Sequence, residues 1–155
     1  MSKLSFEAGE GTGVYWPDHA YTPGKNDRHP EDFFDEIKSS VSTGMTAIEI
    51  SQSRAYLFGF ELFDQGFYWE AHEVWEPVWL ALPDSTQEKF FVQALIQTSN
   101  AYLKLRMEKP KAALRLCGIA REILCKCQNQ KVMGCEKGAV LSVIDDVERK
   151  TKLPL

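Results

Sequence analysis

The chain has 155 residues, of which 44% are hydrophobic and 26% are charged, a balance typical of one folded domain. Its 18 basic and 22 acidic residues give a formal charge of −4. We therefore expect no nucleic-acid partner, because phosphate binding needs a dense basic surface. We also expect no membrane partner, since no apolar run approaches the roughly 20 residues of a spanning helix.

The first residues, MSKLSFEAGEGTG, lack the apolar core of a secretory signal. This start predicts a cytoplasmic protein, in which cysteines stay reduced. The cysteine spacing C-x7-C-x-C-x7-C lacks the C-x2-C pair of structural zinc sites. It favours free thiols at Cys117, Cys125, Cys127 and Cys135, with a metal or redox role as the alternative.

Residues 1–30 are predicted to form an irregular arm, because glycine and proline interrupt any regular period there. The apolar rings of Tyr15, Trp16 and Tyr21 predict that this arm packs on the body. Residues 31–155 are predicted to form a single helical domain. Its helices are expected at 30–37, 46–63, 69–82, 86–107, 111–128 and 137–150.

Local signals mark the ends of these helices. Gly66 suits the left-handed residue that ends a helix, and Ser85 with Glu88 forms a capping-box pattern. Pro77 lies inside the third helix and predicts a bend or a fresh first turn near Glu76. The short connections predict an all-α, up-and-down bundle of five or six helices with an irregular N-terminal arm.

The third predicted helix carries the residues with the most chemistry. At about 100° per residue, His72, Glu76 and Trp79 share one face, with Trp69 and Trp75 beside them. Glu70 and Glu73 point towards the more polar side. An ionisable pair within an aromatic stripe needs partners, because burying an unpaired charge costs several kcal/mol.

Two interpretations of this pair remain open. In the first, His72 and Glu76 satisfy each other and form a buried network that fixes helix register. In the second, they line a pocket and bind a metal or a small ligand. The predicted fourth helix supplies candidate hydrogen-bond partners, Gln97 first and Gln93 second, although its polar line is equally typical of a solvated face.

A metal site at this helix needs a third ligand. HEVWE is not the H-E-x-x-H motif of zinc enzymes, because Glu76 replaces the second histidine. His29 in the arm is the candidate third ligand, and Glu73 is a candidate general base. His19, Asp64 and Glu73 are the other groups considered for that third position.

The run LFDQGFYWEAHEVWEPVW, followed by FFVQALIQTSNAYLKL and KAALRL, resembles the bacterial and archaeal family called domain of unknown function 309. The resemblance covers about residues 56–116 and rests on His-x-x-x-Glu-x-x-Trp, met here by His72, Glu76 and Trp79. It implies an all-helical fold and a metal-binding His/Glu motif. It also implies metal-dependent hydrolysis as a reaction class.

The sequence therefore predicts a polar pocket at His72 and Glu76, walled by Trp69, Trp75 and Trp79. The pocket is expected to bind a divalent metal such as zinc, or a small-molecule ligand. The alternative is a non-enzymatic interaction or scaffold domain, in which the pair is a buried structural network and exposed aromatic rings contact a partner or a second copy of the chain.

Overall fold

The computed structural model describes residues 16–152, and every structural statement below concerns this part of the chain. The prediction of an all-α protein is confirmed. The helices are α1 (Asp35–Lys38), α2 (Ala47–Ser51), α3 (Arg54–Asp64), α4 (Tyr68–Ala81), α5 (Gln87–Arg106), α6 (Pro110–Leu124) and α7 (Lys137–Thr151).

The five longest helices, α3 to α7, pack against one another in chain order, and α7 also contacts α5. Their inward faces form one apolar core, whose largest fully buried side chains include Trp75, Tyr56, Phe58, Phe63 and Phe91. Short connections place successive helices side by side, as expected for a bundle. Within residues 16–152, none of the helices combines the length and apolar character that crossing a membrane requires.

The predicted helix at 46–63 is wrong in one respect, because the chain breaks it into α2 and α3. Ser53 has an extended backbone (φ −72°, ψ 152°), and its hydroxyl accepts a hydrogen bond from the Tyr56 amide. A serine in this conformation caps the start of a new helix. The periodicity of the apolar residues continues across the break and so did not reveal it.

The start of α5 also differs by one residue from the prediction. Thr86, rather than Ser85, caps the helix, and its hydroxyl accepts a hydrogen bond from the Lys89 amide. Ser85 lies in the left-handed region (φ 63°). At the end of α3, by contrast, Gly66 has the predicted left-handed backbone (φ 85°), and the Phe67 amide donates back to the Leu62 carbonyl.

Three further local predictions need correction. The helix expected from Pro30 begins only at Asp35. Of the two alternatives at Pro77, the fresh first turn is wrong, because α4 is one helix from Tyr68 to Ala81, and the bend stays a prediction. The fifth helix, expected at 111–128, ends at Leu124, and the connection that follows it contains a two-stranded hairpin, β1 (Lys131–Val132) with β2 (Cys135–Glu136). Met133 and Gly134 form its turn, and both have the positive φ values that are typical of a two-residue hairpin turn.

The part of the predicted arm that the structure describes, from residue 16, lies against the helices. Trp16 packs edge-on against Phe58 and Phe67, with ring centroids 5.1 and 5.5 Å away. Tyr21 packs edge-on against Trp69 at 5.0 Å. Tyr15 lies outside the described residues. The arm therefore covers one side of α4, the helix that carries the candidate site.

Candidate metal site on α4

His72, Glu73 and Glu76 come together on the outer side of α4. Each offers one nitrogen or oxygen atom, and these three atoms all lie within 4.8 Å of one another. The helix brings them together because Glu76 lies one turn beyond both His72 (i,i+4) and Glu73 (i,i+3). An imidazole nitrogen and two carboxylate oxygens form a donor set that suits zinc and other first-row divalent metals.

The closest contact in the cluster joins His72 Nε2 and Glu76 Oε2, which are 3.1 Å apart. The Glu76 side chain is 54% exposed, so the cluster opens to solvent. On the other side of the ring, His72 Nδ1 is buried and has no hydrogen-bond partner within the described residues. A buried unpaired ring nitrogen costs about 1–3 kcal/mol and requires an explanation, which a bound ligand would supply.

Glu73 is the most enclosed carboxylate of the cluster and has a partner outside it. Its Oε2 accepts a hydrogen bond from Lys38 Nζ at 2.8 Å, and its Oε1 lies 4.0 Å from His72 Nδ1. Lys38, at the end of α1, offsets one of the two negative charges. A cation entering the cluster would therefore compete with Lys38 for Glu73.

His29, predicted as a third metal ligand, lies at a different carboxylate. Its Nε2 is 2.6 Å from Glu70 Oε2, and both side chains are almost fully buried. The same oxygen accepts a hydrogen bond from the Tyr21 amide at 2.6 Å. The structure therefore gathers His72 with Glu73 and Glu76, while His29 joins the arm to Glu70.

The sequence placed Glu70 on a polar face, and this was wrong, because Glu70 is fully buried. The buried positions of α4 also include Ala71, Val74 and Val78. The regular spacing of these small apolar residues was the signal that could have identified the inner face.

The three predicted pocket tryptophans occupy different environments. Trp75 lies in the core, where its Nε1 donates to the Tyr56 carbonyl at 3.1 Å, and it does not line a pocket beside His72. Trp69 packs 6.5 Å from the His72 ring, and Trp79 lies under Lys89 Nζ at 4.3 Å from the ring centroid. Trp69 therefore borders the cluster at His72.

The polar side chains predicted to lie along one side of α5, Gln93, Gln97, Asn100 and Lys104, differ in their position relative to His72. No hydrogen bond joins Gln93 or Gln97 to His72 in the described part of the chain. Asn100 and Lys104, further along the same line, border a cavity that Trp69 and His72 also line. The wall of α5 that faces His72 therefore lies one to two turns beyond the predicted glutamines.

The four cysteines are free thiols, three of them buried. Burial raises the pKa of Cys117 to about 11 and that of Cys135 to about 12. Thiols with such a high pKa are weak nucleophiles and poor metal ligands at neutral pH. They do not form part of the candidate site.

These features define a class of protein, an all-α bundle with a histidine and two carboxylates gathered on one helix. Residues 56–116 match the family model described as Domain of unknown function (DUF309). The resemblance drawn from the sequence is therefore confirmed over this span, which runs from α3 into α6 and contains all of α4. No curated protein and no solved structure was found to match the chain.

Proposed function

We propose that this chain binds a divalent metal ion of the zinc type through His72, Glu73 and Glu76. The observation that carries the proposal is the approach of one donor atom from each residue to within 4.8 Å of the others. Three protein ligands leave coordination positions for water or a substrate, as in catalytic rather than structural zinc sites. Metal-assisted hydrolysis of a small molecule is the reaction class we assign to such a site.

The cluster of His72, Glu73 and Glu76 is partly exposed to solvent, and this supports a role in binding rather than a purely structural role. A register-setting network would enclose each polar atom and pair it with protein. Glu76 instead reaches solvent, whereas His72 Nδ1 is buried without a partner in residues 16–152. A separate and almost fully buried set of contacts on α4 joins Glu70 Oε2 to His29 and to the Tyr21 amide, and Glu70 Oε1 has no hydrogen-bond partner among residues 16–152.

Within this proposal Glu73 is a ligand, which replaces His29 as the third donor. The general-base role considered for Glu73 is not part of this proposal, because a carboxylate that binds the metal is not free to accept a proton. Metal bound at the cluster would lower the pKa of a coordinated water and so supply the nucleophile. The Glu76 side chain is 54% exposed, so water or a substrate could reach the metal from that side of the cluster.

The test is the metal content of protein purified without a histidine tag, followed by calorimetric titration with Zn²⁺ and Mn²⁺. We expect one ion per chain. His72→Ala and Glu76→Gln should each weaken binding at least about tenfold, because each removes a ligand. Glu122→Gln removes an exposed carboxylate from α6 and is the matched control.

A non-enzymatic interaction domain is the second candidate function. Ile48 and Leu80 are large apolar side chains that are 77% and 61% exposed, and such side chains suit a partner or a second copy of the chain. The same titration separates the two candidates. If no metal binds and the chain self-associates in a way that Leu80→Ser abolishes, the interaction function replaces the metal site.

A further inference from the structure

A cavity of about 340 Å³ lies beside the candidate metal site, between the arm and helices α4, α5 and α6. Its volume is within the range of small-molecule sites in proteins. Pro23 of the arm and Trp69 of α4 form one side. His72 belongs to both the cavity lining and the metal-site cluster, so a molecule in the cavity would lie next to the cluster.

One face of α5 forms the opposite wall. Asn100, Leu103, Lys104 and Met107 all line the cavity, and they follow the three- and four-residue spacing of a single helical face. This face alternates polar and apolar side chains. Leu116 of α6 adds a further apolar surface. The cavity therefore has an apolar body with a few polar groups, the composition typical of ligand sites.

The charged groups of the lining are both cations, Lys104 on α5 and Arg115 on α6. Neither side chain makes an ion pair or hydrogen bond to any residue between 16 and 152. Some other cations of the fold are paired, as Arg121 is with Glu148 at 2.7 Å. No carboxylate lines the cavity, so nothing within the lining neutralises the two positive charges of Lys104 and Arg115.

We propose that this cavity binds a small organic anion with an apolar body. Its carboxylate or phosphate group contacts Lys104 and Arg115, which are suited to both groups. Its apolar part packs against Trp69 and the leucines. This inference deepens the function proposed above, because it assigns the substrate class of that site, and it rests on that function for the reaction but not for binding.

The test uses three probes of similar shape, 3-phenylpropionate, phenyl phosphate and the neutral 3-phenylpropionamide. Binding is measured by NMR titration of backbone amides and by intrinsic tryptophan fluorescence, to which Trp69 contributes as one of four tryptophans. Ligands of this size bind weakly, so dissociation constants in the millimolar range are expected. At least one anion should bind more tightly than the neutral amide by about tenfold, since a charge-assisted contact is lost. The two anions distinguish a carboxylate site from a phosphate site.

Lys104→Gln and Arg115→Gln should each weaken anion binding by about three- to tenfold without weakening binding of the amide. Lys111→Gln, which removes an exposed charge from α6 outside the cavity, is the matched control. Melting temperatures establish that each variant folds, and Arg115→Glu provides a stronger change at the same exposed position. Equal affinity for anion and amide, no binding of any probe, or equal behaviour of the three glutamine variants would overturn the proposal.

The anion titration is repeated with Glu76→Gln in the presence of a chelator. If the metal function fails but the cavity inference holds, the anion still binds to this protein and Lys104→Gln still weakens binding. If the metal binds and no anion does, the cavity inference fails alone.

Discussion

His29 Nε2 and Glu70 Oε2 lie 2.6 Å apart, with side-chain exposures of 4% and 0%, and this contact attaches the N-terminal segment to α4. The residues are 41 positions apart in the chain. The Tyr21 amide donates to the same oxygen, so Glu70 holds the segment at two points. Pro23, which follows Tyr21 closely, lines the cavity beside His72. The buried carboxylate thus shapes the candidate site without belonging to it.

Removal of Glu70 is therefore expected to destabilise the protein strongly. Glu70→Ala leaves His29 and the Tyr21 amide buried without an acceptor, and breaking a buried pair costs about 3–5 kcal/mol. Urea unfolding measures the loss. Glu76→Ala removes an exposed carboxylate from the same helix and should change the free energy of unfolding by less than about 0.5 kcal/mol. The double variant with His29→Ala should lose less than the sum of the single losses; strict additivity would contradict a direct contact.

Replacement of Lys38 is expected to strengthen metal binding. Lys38 Nζ forms an ion pair with Glu73 Oε2 at 2.8 Å, so it would compete with a metal cation for that carboxylate. Lys38→Met keeps the apolar stem and removes the charge. The affinity for Zn²⁺ should rise by about two- to fivefold, which corresponds to the free energy of a surface ion pair. Calorimetric titration measures the change, with Lys111→Gln as the control. An unchanged or lower affinity would show that Glu73 is not a ligand.

A methyl group at Gly59 is expected to disrupt the core. A Cβ at this position of α3 would lie 2.0 Å from Trp75 Nε1, which donates to the Tyr56 carbonyl. Gly59→Ala must displace the indole, and we expect a loss of at least about 2 kcal/mol in thermal or urea unfolding. Gly118→Ala on the exposed face of α6 meets no atom within 4 Å. It should stabilise the protein by about 0.5–1 kcal/mol, and a loss there similar to that of Gly59→Ala would refute the steric explanation.

The stability of the fold is expected to fall at alkaline pH through its buried thiols. Burial raises the pKa of Cys117 to about 11 and of Cys135 to about 12, above the value of about 8.5 for an unfolded cysteine. The unfolded chain then binds fewer protons than the folded chain above that value. The contribution is complete below about pH 8.5 and is lost progressively as the pH rises towards 11–12.

Urea unfolding at pH 7, 9 and 10 measures this slope. The variant Cys117→Ala/Cys135→Ala should show a shallower decline than the parent, and an identical decline would contradict the assignment. A thiol-reactive dye at neutral pH adds a second measurement. Cys125, the exposed cysteine, should react quickly, and the three buried thiols should react only after unfolding.

The helices and the cluster could be predicted largely from local patterns. Apolar spacing located the long helices α4 to α7 to within a few residues, and Gly66 was identified from its residue type alone. His72 and Glu76 meet because helical geometry places residues four apart on one side. The break at Ser53 and the cap at Thr86 were missed, because neighbouring serine and threonine residues offer equivalent caps and packing selects among them.

By itself, then, the sequence determined what depends on neighbours within one or two turns: an all-α fold, the helix that carries the chemistry, and the contact of His72 with Glu76. Only the tertiary structure decided which side of α4 faces the core, since that depends on how the arm and α5 pack against the helix. It assigned His29 to Glu70 instead of His72, and it brought Lys104 and Arg115 to one cavity. Contacts between residues distant in the chain depend on the packing of whole helices, and no spacing within one segment records them.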